Sequence, residues 1–146
     1  QMCIRDRIGL VQWNAQGEQQ GDIRWIRSDP EHYLSYSTLS VLGPDRYLLG
    51  WGVMRAQDHE GEPGGDNSYR VPWEYWLAEI DGNGQPLTKP VMLDGAGWGE
   101  LDEMAPLGQG RAGWAYIDNP ALNAEGQGPA CNQSSLELSV YRSSTP

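Results

Sequence analysis

The chain has 146 residues, with 7 Trp, 7 Tyr, 19 Gly, 10 Pro and no Phe. Because Gly and Pro disrupt helix interiors while aromatic residues favour strands, this mixture predicts strands joined by tight turns. The net charge of −10 repels phosphate backbones, so we do not expect nucleic acid as a partner. No apolar run approaches the ~18 residues of a membrane-spanning helix, so we expect no membrane span.

The first seven residues, 1–7, have no periodicity and do not fit the pattern that follows. They look like a translated adaptor of the kind found at the ends of metagenomic reading frames. We therefore expect a non-native leader that takes no part in the fold. Cys131 is then a lone thiol, whose partner would lie in chain upstream of this sequence.

Alternating and β-branched runs predict nine strands along the chain. In order they cover 8–13, 22–26, 38–42, 46–54, 73–81, 87–93, 100–107, 110–117 and 135–142. Short turns are predicted at 14–21, 43–45, 82–86 and 108–110, where Gly, Pro, Asn and Asp concentrate. Longer connections are predicted at 27–37, 55–72, 94–100 and 118–134.

The chain repeats itself at offsets of 61 to 67 residues. Leu10 aligns with Leu77 and Leu77 with Leu138, while Trp51 aligns with Trp114. We expect the offset to change only inside loops, because the core fixes strands whereas connections vary. A repeat of four short antiparallel strands is the unit of a β-propeller blade.

The predicted fold is therefore all-β, with antiparallel four-stranded β-propeller blades at 8–142 and a tail at 143–146. The segment amounts to about two and a half blades of a larger propeller. It holds a partial blade at 8–26, a full blade at 38–93 and a blade that lacks its last strand at 100–142. The missing N-terminal blades of the same chain would then pack against it. A β-sandwich is the alternative, although sandwiches rarely repeat in sequence.

Trp51 and Trp114 lie in strands whose two faces are both apolar. Large residues such as Leu49 share the face of Trp51, and Gly50 lies on the opposite face. Two apolar faces are typical of a sheet that is buried between two others. We therefore expect both indoles to pack between blades, and the alternative is a platform on which a ligand stacks.

The long connections all belong to one face of the predicted disc. In an antiparallel blade, the connections from second to third strand and from fourth strand to the next blade emerge at the same edge. Binding residues concentrate on loops that a rigid scaffold holds, so we expect the binding surface on this face. Candidate binding residues are His32, Asp58, His59, Trp98, Glu100, Asp102, Glu103, Asp118 and Asn119.

Two groups of oxygen side chains are compatible with a cation. The carboxylates at 100–103 open a predicted inner strand and suit a cation or sugar hydroxyls, or form a solvated acidic face. Residues 81–85 resemble the start of a calcium loop but lack its closing Glu, and Asp-Gly and Asn-Gly are strong hairpin signals. No phosphate loop, Gly-x-Ser-x-Gly or Cys-x-x-Cys motif occurs. We predict a turn at 81–85, and no cofactor, metal or catalytic residue.

The sequence at 75–84, an apolar strand and the sequence at 102–116 together resemble secreted bacterial β-propeller proteins of uncertain role. The motifs of sialidase, WD and kelch repeats are missing, so no catalytic residue is carried over. The resemblance implies an extracytoplasmic setting, periplasmic or secreted. We expect a non-catalytic module that binds a protein or carbohydrate ligand. The alternative is a fragment of a propeller enzyme acting on glycans, with most catalytic residues in missing blades.

Overall fold

The computed structural model describes residues 7–55, 74–93, 97–98, 103–118 and 135–144. Every regular element in these ranges is a strand, which confirms the all-β prediction. The strands are β1 (Arg7–Trp13), β2 (Gln19–Ser28), β3 (His32–Gly43), β4 (Arg46–Arg55), β5 (Glu74–Ile80), β6 (Val91–Met92), β7 (Ala105–Gly108), β8 (Arg111–Asp118) and β9 (Ser135–Arg142). Among the described residues, no helix is long and apolar enough to cross a membrane.

The strands form three antiparallel sheets of two, four and three strands. The first sheet pairs β1 with β2, the second has the order β3-β4-β5-β6, and the third has the order β7-β8-β9. Within the described ranges the sheets do not close into a ring, so the propeller itself stays a prediction.

The second sheet lies between the other two. Leu49, Trp51, Val53, Ala78 and Ile80 of one face form a buried cluster, on which side chains of the first sheet pack. Its opposite face contributes to a second cluster with the third sheet, formed by Leu42, Leu48, Leu77, Trp98, Met104, Ala112 and Trp114. The prediction that both faces of β4 are buried is confirmed.

The same prediction is wrong for β8. Trp114 is 4% exposed and packs towards the second sheet, but the opposite face of its strand is open. Ala115 on that face is exposed and pairs with Leu138, which is 72% exposed. The reason is that the described residues contain no further sheet on that side of the third sheet.

The three sheets stack in one direction. Trp51 faces the first sheet and Trp114 faces the second, so each indole points to the preceding sheet. The aligned leucines point the other way. Leu10 faces the second sheet, Leu77 faces the third, and Leu138 lies on the open face of the third. Aligned side chains therefore keep their direction through the stack.

Two turns have the same hydrogen bonds. Asn14 Oδ1 accepts the backbone N–H groups of residues 16 and 18, and Asp81 Oδ1 accepts those of residues 83 and 85. Gly17 and Gly84 follow at φ of 78° and 77°, which favours glycine at both positions. The turn prediction at 81–85 is confirmed, and its carboxylate oxygen is engaged by the backbone.

The tight turns of the second and third sheets lie together at one edge of the stack. The Gly82 N–H donates to Asp45 Oδ1 at 2.8 Å, which links the turns after β3 and β5. The Gly110 N–H donates to Leu42 O at 3.2 Å, which joins the turn after β7 to the same edge. The first sheet reaches this edge through Gln12, whose side-chain amide donates to Gly82 O at 2.6 Å. We call this end of the stack the turn edge.

The predicted rule for the repeat offset is wrong in one strand. Arg46 and Arg111 each follow a tight turn, yet Trp51 lies five residues after Arg46 while Trp114 lies three after Arg111. The offset thus changes inside a strand. A change of two residues is tolerated because side chains alternate with period two, so each indole keeps its face.

Some predicted boundaries also differ from the structure. The connection predicted at 27–37 is mostly strand, since β2 continues to Ser28 and β3 begins at His32. The sequence signal was obscured by a register shift between Ser35 and Thr38, where Tyr36 has a φ of 48°. The predicted strand 87–93 is reduced to Val91–Met92, and 100–107 is described as strand only over Ala105–Gly108.

Candidate functional site

The ends of the strands opposite the turn edge carry the connections that the sequence assigns to binding. Here His32 pairs with Arg55 and Val53 with Glu74, so β3 begins, β4 ends and β5 begins at the same level. In the third sheet, Asp118 pairs with Ser135 at the end that lies away from the 108–110 turn. We call these strand ends the connection edge.

At the connection edge, an acid and a histidine form a contact between β2 and β3. His32 Nδ1 lies 3.0 Å from Asp29 Oδ1, and the Glu31 N–H donates to the same oxygen at 3.1 Å. A guanidinium nitrogen of Arg27 lies 4.0 Å from Asp29 Oδ2. The two polar contacts to Oδ1 fix the sharp turn, and they also hold the imidazole in one orientation.

The electrostatics favour an ionised Asp29. Burial opposes the charged form, but the hydrogen bonds from His32 and the Glu31 N–H and the charges of His32 and Arg27 outweigh it. The pKa of Asp29 therefore lies below its ordinary value. A carboxylate that orients an imidazole suits either acid–base chemistry or hydrogen bonding to a ligand.

Arg27 connects this turn to the core. Its guanidinium carbon lies 5.8 Å from the centroid of the Trp51 ring, within the range of a cation–π contact. Trp51 itself is 2% exposed. The Trp51 ring therefore packs against the guanidinium of Arg27 and has no exposed face on which a ligand would stack.

Trp98 lies inside the protein, between the second and third sheets. It is 3% exposed, and its indole N–H donates to Tyr36 O at 2.6 Å. Its ring centroid is 4.8 Å from that of Tyr75 and 6.0 Å from that of Trp114, in edge-on arrangements. In this position the side chain packs the core and fixes the bulge at Tyr36.

Glu103 is exposed beside β3, where the backbone N–H of its neighbour Met104 donates to Thr38 Oγ1 at 3.4 Å. Asp118 ends β8, and only its backbone is described. His32, Trp98 and Glu103 thus all lie along β3 or against it, although the structure gives no contact among the three side chains. The other predicted site residues lie outside the described residues, namely Asp58, His59, Glu100, Asp102 and Asn119.

A buried charged cluster near the turn edge was missed by the sequence analysis. Glu79 is 1% exposed, and its Oε1 accepts a hydrogen bond of 2.8 Å from the Tyr141 hydroxyl of the third sheet. Its Oε2 lies 3.5 Å from Arg46 Nε, and Arg46 also donates to Ser143 Oγ at 3.1 Å. The available signal was a single Glu in the middle of the apolar run at 76–80.

The surroundings of Tyr141 stabilise its neutral form. Burial is the largest cause, and the hydrogen bond to Glu79 and the negative charge of Glu79 act in the same direction. Together they raise the pKa of Tyr141 to about 12, with Arg46 opposing them. The cluster is therefore a polar link, with a neutral Tyr141 hydroxyl, that joins the second and third sheets.

A small apolar cavity lies between the first and second sheets, also near the turn edge. Its volume is about 170 Å³, and Leu10, Leu39, Tyr47 and Ile80 contribute to its walls. Ligand pockets usually measure about 300–1,000 Å³, so this cavity is small for an organic ligand. It lies at the opposite end of the strands from the predicted binding surface.

The described residues contain no group of three or more His, Cys, Asp or Glu that would hold a metal ion. The chain matches no protein-family model, and neither a curated protein nor a solved structure is similar enough to count as a match. The site is therefore defined by its own geometry, and the described polar features beside the long connections include the charged turn at 27–32, Glu74 at the start of β5, and Glu103.

Proposed function

We propose that this chain is a segment of a β-propeller and serves as a non-catalytic binding module. Its protein or carbohydrate ligand would lie against the connection edge, on the surface formed by the connections after β2, β4, β6 and β8. Further blades would complete the propeller on either side of the three sheets.

The observation that carries this proposal is the separation of the two edges. Tight turns of all three sheets gather at the turn edge, where Asp45, Gly82 and Leu42 tie them together by hydrogen bonds. The connections of variable length begin and end at the opposite end of the same strands. A rigid scaffold with all its variable loops at one end is the common arrangement of a binding protein.

The directional stacking supports the propeller part of the proposal. At each of the two interfaces, the earlier sheet contributes the face that carries its aligned leucine. The later sheet contributes the face that carries its buried tryptophan. Repeat architectures bury their core in this way, because one unit alone leaves both apolar faces uncovered. A sandwich of two sheets would give no middle sheet covered on both faces.

The surface is tested by screening the purified chain on arrays of oligosaccharides and of peptides, and then mapping any ligand with variants. His32→Gln changes the connection edge, Glu103→Lys changes an exposed carboxylate that closely follows the 94–100 connection, and Gln85→Lys is the matched control at the turn edge. We expect the first two variants to weaken binding by about tenfold or more, which corresponds to about 1.4 kcal/mol, with no change for the control. Loss of binding in Gln85→Lys alone would contradict the proposed surface. Hydrolysis of a bound oligosaccharide would instead support a glycan-directed enzyme.

A further inference from the structure

The stack ends in two open apolar faces. The front face is the outer side of the first sheet, where Trp13 is 60% and Trp25 is 59% exposed, with Ile23 beside them. The back face is the outer side of the third sheet, where Leu136 is 78% and Leu138 is 72% exposed. Val140 and Leu107 extend the back face. Apolar groups gathered in this way mark interaction surfaces on soluble proteins.

The back face has the same position in the repeat as two faces that are buried inside the chain. Leu138 aligns with Leu77, which is 3% exposed under the third sheet. Leu77 aligns in turn with Leu10, whose side chain faces Gly84 of the second sheet. In the two preceding sheets, the leucine at this position is therefore covered by the sheet that follows.

The front face matches the opposite halves of these interfaces. At the offset of 67, Trp13 aligns with Ile80 and Val11 with Ala78. Ile80 and Ala78 are 1% and 7% exposed, because they pack against the first sheet. The front face is thus the kind of surface that a leucine-bearing back face covers elsewhere in the same molecule.

We infer that a second copy of this chain covers these faces, with the front face of one copy packing on the back face of the other. The occupant follows from continuity with the internal interfaces, since the chain already makes a back-to-front contact twice, between its first and second and between its second and third sheets. The inference uses the faces of the sheets and is independent of the binding surface at the connection edge.

The contact is heterologous, because front and back are different surfaces. Such contacts repeat until a ring closes or an open filament grows. Self-association should therefore need the front face of one copy and the back face of another. A mixture of copies with a blocked front face and copies with a blocked back face should stop at a dimer.

Sedimentation velocity of the complete 146-residue chain without ligand tests this. We expect species larger than a monomer at about 100 μM that dissociate on dilution, as for contacts of micromolar Kd. Trp25→Lys blocks the front face and Leu138→Lys blocks the back face, and each variant alone should be monomeric. Gln85→Lys and Ser144→Lys, at exposed polar positions outside both faces, are controls that should associate like the parent chain.

Mixing gives the decisive result. Trp25→Lys keeps an intact back face and Leu138→Lys an intact front face, so an equimolar mixture should form a one-to-one dimer. A parent chain that is monomeric at about 100 μM would overturn the inference. So would a single variant that still associates with itself, since that requires front-to-front or back-to-back contact. Circular dichroism verifies the fold of each variant, and Trp13→Lys or Leu136→Lys replaces one that unfolds.

Discussion

At the scale of single residues, Glu79 shows how a charge is accommodated between two sheets. Removing a carboxylate from water is costly unless partners compensate for the lost hydration. Glu79 has the Tyr141 hydroxyl at 2.8 Å on one oxygen and Arg46 at 3.5 Å on the other. Both partners belong to other strands, so the Glu79 side chain links β5 to β4 and to β9.

The raised pKa of Tyr141 predicts a loss of stability at high pH. Because the folded-state pKa of about 12 lies above the usual value of 10.0, the protonated tyrosine adds stability that is complete below pH 10. This contribution disappears as pH rises through about 12. We expect the free energy of unfolding of Tyr141→Phe to fall less than that of the parent chain over this interval. Urea denaturation across the pH series measures it, and parallel pH curves would contradict the prediction.

Gly50 of β4 packs directly against Met104 and Trp98, between the second and third sheets. A Cβ atom built there would lie 2.7 Å from Met104 Cε and 2.8 Å from Trp98 Cη2. We expect Gly50→Ala to destabilise the chain by about 1–3 kcal/mol through overpacking. Gly43→Ala is the matched control, since nothing lies within 4 Å of a Cβ at that position. Equal urea midpoints for both variants would contradict the prediction, because Trp98 and Met104 would then have adjusted to the added methyl group.

At the scale of elements, the two matching turns are the clearest structural repeat. Asn14 and Asp81 use one side-chain oxygen to accept two backbone N–H groups, and each turn closes a hairpin or a strand end. An Asn and an Asp are interchangeable in this role, because both offer an oxygen at the same distance from the backbone.

This equivalence predicts the outcome of substitutions at Asp81. Asp81→Ala removes the acceptor of two hydrogen bonds of 2.8 Å and should destabilise the chain by about 1–2 kcal/mol. Asp81→Asn should be nearly neutral, since Asn14 makes the same turn. Thermal melting of the two variants beside the parent chain tests this. A large loss in Asp81→Asn would mean that the charge of Asp81 has a separate role.

The strands and turns were predictable from sequence where local signals were strong. Alternation with period two placed Trp51 and Trp114 on core faces, and Asp-Gly and Asn-Gly marked the turn at 81–85. The extension of β3 back to His32 was missed, because the bulge at Tyr36 interrupts the alternation that would have revealed it. β6 is shorter than predicted, since Pro90 lacks the N–H group that a longer ladder needs.

The candidate site was less predictable than the fold. The His32–Asp29 contact depends on a turn of three residues that the sequence analysis placed inside a longer loop. Glu79 lies within the predicted strand 73–81, and its partner Tyr141 comes from the third sheet, which is distant in sequence. Trp98 was assigned to the binding surface because its flanking glycines are typical of a loop, whereas the structure packs its ring under Tyr75.

At the scale of the whole molecule, the stability of the chain is limited by its uncovered surface. Among the described residues, the front and back faces and the outer edges of β1 and β9 contribute nothing to the buried core of one copy. Free strand edges and apolar faces also favour association. Three sheets with two internal interfaces are therefore expected to be marginally stable in isolation.

We expect a melting midpoint below about 60 °C for the chain at low concentration, within the mesophile range. The midpoint should rise with protein concentration, because association stabilises only the folded state. Differential scanning calorimetry over a dilution series measures both effects, with the Leu138→Lys variant as a control whose midpoint stays constant. A concentration-independent midpoint well above about 60 °C would contradict this view.

The arrangement of the tryptophans has an optical consequence. Trp51, Trp98 and Trp114 are 2–4% exposed, whereas Trp13 and Trp25 of the front face are about 60% exposed. A soluble quencher such as acrylamide should therefore quench the emission of Trp13 and Trp25 first. The remaining emission, from the buried tryptophans, should be blue-shifted. Among the described tryptophans, with Trp76 half-buried between these extremes, the red-shifted emission would report on the front face and the blue-shifted emission on the folded interior.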